Sequence, residues 1–397
     1  MDIPFMNLSR QYEEIKNDAE NAVLEVMQST EYVEGTEVKR LEHELASYLD
    51  VKHVITCGNG TDALRIALQA SGVKEGDEVI TTPFTFFATA EAIAQIGAIP
   101  VFADIDEETL TIDCNSIEKK VSDKTKAILP VHIFGNPSKM DEIKEIANRH
   151  CASVIEDACQ AIGSVYKGRK VGGIGNAGCF SFYPTKNLGG FGDGGMVTTD
   201  DDDTATICRA MKGHAPGKLG ANAYELLTGN KPDVGIVDLD VKGNLYDPYK
   251  YFNYLIGCNS RLDSMQAAVL RVKLKHLDKY NRRRNVIAEK YSSAFSDLPI
   301  ERQKVSVTDY SCFHQYVMLV DNKEKFSDYL KDNGIGTGAF YPVPLHLQVA
   351  FRKLGYKEKS LPVSESVCSR AVCLPVFPEL TDEEVDYIVE KIRAFYE

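Results

Sequence analysis

Long apolar runs are missing from this chain: none approaches the ~20 residues that a membrane span requires. Paired cysteines are missing as well. The ten Cys are scattered, with no CxxC pair and no zinc-like spacing. Neither a disulfide framework nor a catalytic metal is expected, and most of the thiols read as small buried hydrophobes in a reducing, cytoplasmic setting. Positive charge is in deficit too. The formal net charge is −13 and no stretch forms a basic stripe, which argues against nucleic acid as a partner. The one cationic run, Arg282-Arg283-Arg284, lies in a helical pattern and reads as a solvated face. Met1-Asp2-Ile3-Pro4-Phe5 has no basic region before an apolar core, so no signal peptide is expected. No Ser-His-Asp order is visible.

What is present is a chain of 397 residues, 44% hydrophobic and 26% charged, enough for two domains with substantial cores. Ile15, Ala19, Val23 and Val26 recur at helical spacing. Short apolar runs then alternate with helical patterns: strands at 53–57, 78–82, 100–103, 127–133 and 153–155, and helices at 61–70, 88–96 and 138–149. That alternation predicts an α/β fold, a mostly parallel sheet covered by helices on both faces. A long helix is expected from Ser264, then a strand over 312–320 and a helix over 325–333. The final helix opens on a capping box, Thr381 with Glu384. The expected organisation is a large domain over 1–264 and a smaller α+β domain over 265–397. Residues 215–256 carry Pro216-Gly217, Gly229-Asn230-Lys231-Pro232 and Asp247-Pro248 and read as irregular, an inserted segment acting as a flap or a packing surface.

The most informative stretch is Cys179-Phe180-Ser181-Phe182-Tyr183-Pro184-Thr185-Lys186-Asn187-Leu188-Gly189-Gly190. An apolar strand ends in a Ser, and a Lys follows on a Gly-rich turn. Upstream, Val154-Ile155-Glu156-Asp157 is an apolar run that stops at acids. A fixed Lys preceded by an acid at the end of a strand suits pyridoxal phosphate chemistry: the amine forms an imine with the cofactor, and the acid pairs with the pyridinium nitrogen. The bland alternatives are a surface Lys in a loop and an acid capping the next helix. Gly60-Thr61 opens a helix after a strand, and its N–H groups suit a phosphate, although a simple Thr cap fits equally. Neither a G-x-G-x-x-G nor a Walker pattern surrounds that pair, so it does not read as a dinucleotide or nucleoside-triphosphate site.

The chain resembles the sugar aminotransferases of the DegT/DnrJ/EryC1/StrS family, within the fold-type I pyridoxal-phosphate enzymes. The resemblance runs nearly end to end. It rests on Gly58-Asn59-Gly60-Thr61-Asp62-Ala63-Leu64, Thr85-Phe86-Phe87-Ala88-Thr89, Glu156-Asp157-Ala158, Phe182 to Gly189, Asn259-Ser260-Arg261-Leu262-Asp263, Tyr341 to Gln348 and Leu374-Pro375-Val376-Phe377-Pro378.

The resemblance implies Lys186 as the imine-forming residue and Asp157 as partner of the ring nitrogen. It implies Gln160 on the cofactor's phenolic oxygen, Ser181 with Gly60 and Thr61 at the phosphate, and Phe86 stacked on the ring. Asn259 and Arg261 are expected to enter a neighbouring subunit's site, Asn259 at the phosphate, which implies a homodimer with shared sites. His314, Tyr341 and His346 fall on the substrate side. The implied reaction moves an amino group from an amino acid, glutamate in related enzymes, to a keto sugar on a nucleotide. The Asn-Ser-Arg-Leu-Asp form looks like that of members acting on 3-keto sugars. The rivals are a dehydratase of the same family, some of which carry His in place of the Lys, and a cofactor-binding regulator.

Overall fold

The computed structural model describes residues 1–233 and 251–397. Seven strands form the central sheet in the order β1-β9-β8-β5-β4-β2-β3. They are β1 (His53–Cys57), β2 (Glu78–Thr81), β3 (Ile99–Phe102), β4 (Thr125–Leu129), β5 (Ser153–Asp157), β8 (Ala177–Ser181) and β9 (Gly195–Thr199); β6 (Val165–Tyr166) and β7 (Arg169–Lys170) make a small hairpin between them. β3, β2, β4, β5 and β8 run parallel, and β9 lies antiparallel between β8 and β1. The second sheet, β10 (Glu301–Arg302), β11 (Tyr316–Leu319) and β12 (Ala371–Leu374), is antiparallel.

Strand alternation sorts the large sheet's side chains onto two cores. Val54, Ile80, Ile128, Val154, Phe180 and Met196 meet α2 (Thr36–Leu49) on one face. Ile55, Val79, Ala127, Ile155, Cys179 and Val197 meet α3 (Gly60–Ala70) and α4 (Ala88–Gln95) on the other. These near-continuous apolar runs are what a sheet covered on both faces demands. A further core surrounds the small sheet.

The long helix expected from Ser264 is two helices, Ser264–Leu274 and Leu277–Ala294. The second spans both cores, with Leu277 in the first and Ile287 and Tyr291 in the other. This placement corrects the reading of the arginine run. Arg282 is exposed, but Arg283 pairs with Asp382 at 2.8 Å and Arg284 is 2% exposed. The Arg284 guanidinium donates to the carbonyls of Phe313, His314 and Val376 at 3.3–3.4 Å, and burial pulls its pKa down to about 10. A helix wedged between two cores leaves only part of its circumference for water.

The segment from 215 contains a twelve-residue helix, Gly217–Thr228. Pro216 stands at its N-cap and Gly229 closes it in the left-handed conformation, so these residues bound the helix rather than break it. Residues 234–250 of the expected insertion lie outside the described residues.

On β5 the alternation gives adjacent acids opposite fates. Glu156 is fully buried and accepts from His132 Nε2 at 2.9 Å and from the N–H groups of Gly172, Ile174 and Gly175 at 2.6–2.8 Å. His132 Nδ1 accepts from the Ser138 N–H, which leaves the ring hydrogen on Nε2. Burial works against the Glu156 carboxylate, but His132 and the backbone donors outweigh it and hold its pKa below the ordinary value. Its contribution is therefore present above the carboxylate range and fades as the pH falls through that depressed pKa. Glu156→Ala strands four donors and is expected to cost at least about 3 kcal/mol in urea unfolding at neutral pH. A loss below about 1 kcal/mol would show that water replaces the carboxylate there.

Candidate active site

The site gathers at the carboxyl ends of the parallel strands, where open α/β sheets hold ligands. β1 leads through Gly58-Asn59 into α3. Asn59 caps that helix by accepting from the Asp62 N–H at 2.8 Å. Among the described residues, the N–H groups of Gly60 and Thr61 take no protein acceptor. Ser181, the last residue of β8, sits against this helix start. A Cβ on Gly60 would lie 2.8 Å from the Ser181 Cβ and 3.0 Å from the Cys159 Sγ, so only glycine permits the approach. Free helix-start N–H groups beside a hydroxyl form a cradle that fits a phosphate dianion.

Lys186 follows β8 on a tight turn, its N–H donating to the Tyr183 carbonyl at 2.8 Å. The side chain is half-buried. Burial lowers the pKa of its amine, and the negative potential of Cys159 and Asp157 opposes that only in part. The next residue, Asn187, is buried and donates to Asn281 Oδ1 at 2.8 Å and to the Cys312 carbonyl at 3.0 Å. Its oxygen is thereby free to accept, and it faces His314 Nδ1 at 3.2 Å, which assigns the imidazole hydrogen to Nδ1. His314 is held well below its ordinary pKa by burial, then by the charges of Lys186 and Arg284, and so stays neutral.

Asp157 ends β5, 5% exposed. Its Oδ2 accepts from the Thr89 hydroxyl at 2.8 Å and its Oδ1 from the Cys159 N–H at 3.2 Å. Gln160 Oε1 accepts from the Phe134 N–H at 2.8 Å, which orients the amide, and its Nε2 donates to the Tyr341 hydroxyl at 3.0 Å. Phe86 is 57% exposed, unusual for a large apolar ring, and its centroid lies 6.2 Å from that of Tyr341.

Gly60, Thr61, Ser181, Asp157, Gln160, Phe86, Lys186, His314 and Tyr341 thus share one region, linked by the contacts and electrostatic couplings given above. Asn259 and Arg261 are exposed. Between them Ser260 turns inward, accepting from the Gly58 N–H at 2.9 Å and donating to Asp62 at 2.7 Å, which pins their segment to the start of α3. Arg261 has no carboxylate partner among the described residues and lines a cleft of about 720 Å³ with His214 and Asn253. His346 stands elsewhere. Its side chain has no exposed surface, sits 3.1 Å from Glu365 and packs beside Phe102 and Tyr356. That placement sets it apart from the residues gathered around Lys186. Sequence reasoning passed over Thr85, Thr89, Asn187 and Ser260. Each lies inside a quoted motif, but a hydroxyl or amide that supports its neighbour leaves no spacing signal.

One acid at a parallel-strand end, a desolvated amine on a turn and a helix-start phosphate cradle define a site that fits a phosphorylated carbonyl cofactor. The DegT/DnrJ/EryC1/StrS aminotransferase family profile matches residues 13–393, and the chain belongs to that family. It is 46% identical over 400 residues to the "Pleiotropic regulatory protein" of Geobacillus stearothermophilus, covering 100% of this chain and 99% of that one. It is 35% identical over 396 residues to the dTDP-3-amino-3,4,6-trideoxy-alpha-D-glucose transaminase of Streptomyces venezuelae, covering 100% and 96%. Among solved structures it is similar to NtdA from Bacillus subtilis with bound cofactor PMP. There the TM-score is 0.85 at 30% identity, with 99% of this chain and 85% of that chain covered.

The lowered pKa of Lys186 is directly measurable. In cofactor-free protein, labelling of Lys186 by a small acylating reagent is expected to reach half its maximum at a pH below the ordinary lysine range. A midpoint at or above that range would contradict the desolvated amine.

Proposed function

We propose that this enzyme transfers an amino group from L-glutamate to the 3-keto group of a nucleotide-linked sugar, in amino-sugar biosynthesis. Pyridoxal 5′-phosphate is its cofactor, and it works as a homodimer with shared sites. The observation that carries this reading is the convergence of Lys186, Asp157 and the Gly60–Ser181 cradle at the carboxyl ends of the central strands. The family and the 3-amino product in the name of the Streptomyces relative support it.

The cofactor, when bound, supplies a carbonyl carbon that condenses with amines and a pyridinium ring that takes up electron density. The chain supplies everything else. Gly60, Thr61 and Ser181 would hold the phosphate. Phe86 would cover one face of the ring, and Gln160 would present an Nε2 hydrogen to its phenolic oxygen. Asp157 would pair with the ring nitrogen and favour its protonated form. Lys186 would hold the cofactor at its carbonyl carbon, and its Nζ, when neutral, would be the group placed to accept a proton from the substrate carbon. The lowered pKa of that amine keeps a larger fraction in the form able to accept a proton.

His314 and Tyr341 face the substrate side. Asn259 reaches the phosphate of the partner's site. Arg261 meets the diphosphate of the nucleotide sugar, a local cation that a chain of net charge −13 needs if it is to bind an anion.

Mixing the holoenzyme with glutamate tests the reading. The absorbance of the bound cofactor should change to that of its aminated form, and a nucleotide 3-keto sugar should reverse it. No change with any amino acid would favour the regulator reading, and water loss from the sugar in place of amination would favour the dehydratase. Lys186→Ala is expected to abolish both half-reactions and still fold; borohydride reduction that fixes the cofactor on another lysine would sink the assignment. Inactive Lys186→Ala and Asn259→Ala chains, mixed under conditions where subunits exchange, should recover part of the activity. No recovery would remove Asn259 from the partner's site.

A further inference from the structure

The segment Thr85-Phe86-Phe87-Ala88-Thr89 puts two threonines and one aromatic to opposite uses. Thr85 and Thr89 are each 1% exposed, whereas Phe86 between them is 57% exposed. The Thr89 N–H donates to the Phe86 carbonyl at 3.2 Å, closing one turn. On its buried side the two hydroxyls meet at 2.9 Å, and Thr89 continues to Asp157 Oδ2 at 2.8 Å. The direction of this chain is fixed by valence. A carboxylate only accepts, so Thr89 gives its single hydroxyl hydrogen to Asp157, and Thr85 must donate to Thr89.

We infer that Thr89, supported by Thr85, is a positioning residue that sets the plane of the Asp157 carboxylate for its partner on the cofactor ring. This rests on the role proposed for Asp157. The terminal torsion of an Asp side chain is broad and roughly two-fold. Two donors that grip different oxygens, the Thr89 hydroxyl on Oδ2 and the Cys159 N–H on Oδ1, remove that freedom. The remaining lone pairs then have a fixed direction. The same turn carries Phe86, so one short segment sets both the group that covers the ring's face and the group that meets its nitrogen. The Asp157 backbone is held independently: its N–H donates to the Pro130 carbonyl at 2.9 Å and its carbonyl accepts from His132 at 3.0 Å. Loss of the threonine hydroxyl therefore frees the carboxylate without releasing the strand.

Thr89→Val, Thr89→Ser and Asp157→Asn, with the Thr89→Val/Asp157→Asn double variant, test this. Thr89→Val keeps the β-branched shape and removes only the hydroxyl. It is expected to slow the glutamate half-reaction roughly 10- to 100-fold, the worth of a hydrogen bond to a charged group. KM for glutamate and the melting temperature of the cofactor-free protein should change little. It should also weaken pyridoxal phosphate binding to the cofactor-free protein and shift the absorbance maximum of the bound form toward that of Asp157→Asn. Thr89→Ser should restore most of the rate, and Thr89→Val should add nothing to Asp157→Asn. A Thr89→Val enzyme that matches wild type in rate and spectrum while Asp157→Asn is impaired overturns the inference. So do equal losses in the Val and Ser variants, which would mean that packing and not the hydroxyl is at work. A wild-type rate in Asp157→Asn overturns instead the underlying role of Asp157.

Discussion

The structure depends on what happens at the end of one strand. β5 runs apolar through the centre of the sheet and stops at two successive acids, whose side chains fall on opposite faces. Glu156 enters the face packed by α2 and saturates itself with His132 and three backbone donors. A charge so deeply buried persists only because its acceptor capacity is filled. In filling it, Glu156 ties down the loops after β4 and before β8. Asp157 enters the other face with fewer partners, which leaves acceptor capacity for something the protein itself does not supply. One strand register thus makes a saturated acid and an acid with acceptor capacity to spare from neighbouring residues. A shift of one residue would exchange them.

Desolvation does the electrostatic work around Lys186. It lowers the amine of Lys186, keeps His314 neutral and pulls down Arg284, all by disfavouring charge in a poorly hydrated region. Of the two arginines, Arg261 is exposed and has no carboxylate partner among the described residues, whereas Arg284 is buried.

Much of the sheet was legible because its strands are short apolar runs punctuated by turn residues, and Lys186 stands out in the sequence because a Gly-rich turn after such a run is an unusual place for a lysine. The errors have physical causes. Pro216 and Gly229 were read as breakers of a segment they instead bound, because a proline before a helix and a glycine after it leave the same letters as a loop. Arg284 was read as solvated because helical periodicity gives a face but not what covers it, and here a second core does. Thr89 was invisible because its function lies in a hydroxyl directed at a residue 68 positions away.

The C-terminal region joins the site through polar contacts to residues of the large sheet's edge. Tyr341 is held by Gln160, and His314 by Asn187, each through one hydrogen bond of 3.0–3.2 Å. Both sheet-side partners are themselves oriented by buried contacts, Gln160 by the Phe134 N–H and Asn187 by Asn281 and Cys312. The direction of dependence follows. The sheet fixes the amides, and the amides fix the tyrosine and the histidine. A substrate that draws on either side chain must share or break one of these single bonds, each worth roughly 1 kcal/mol net. The same two amides therefore set where the tyrosine and the histidine stand relative to Lys186 and Asp157.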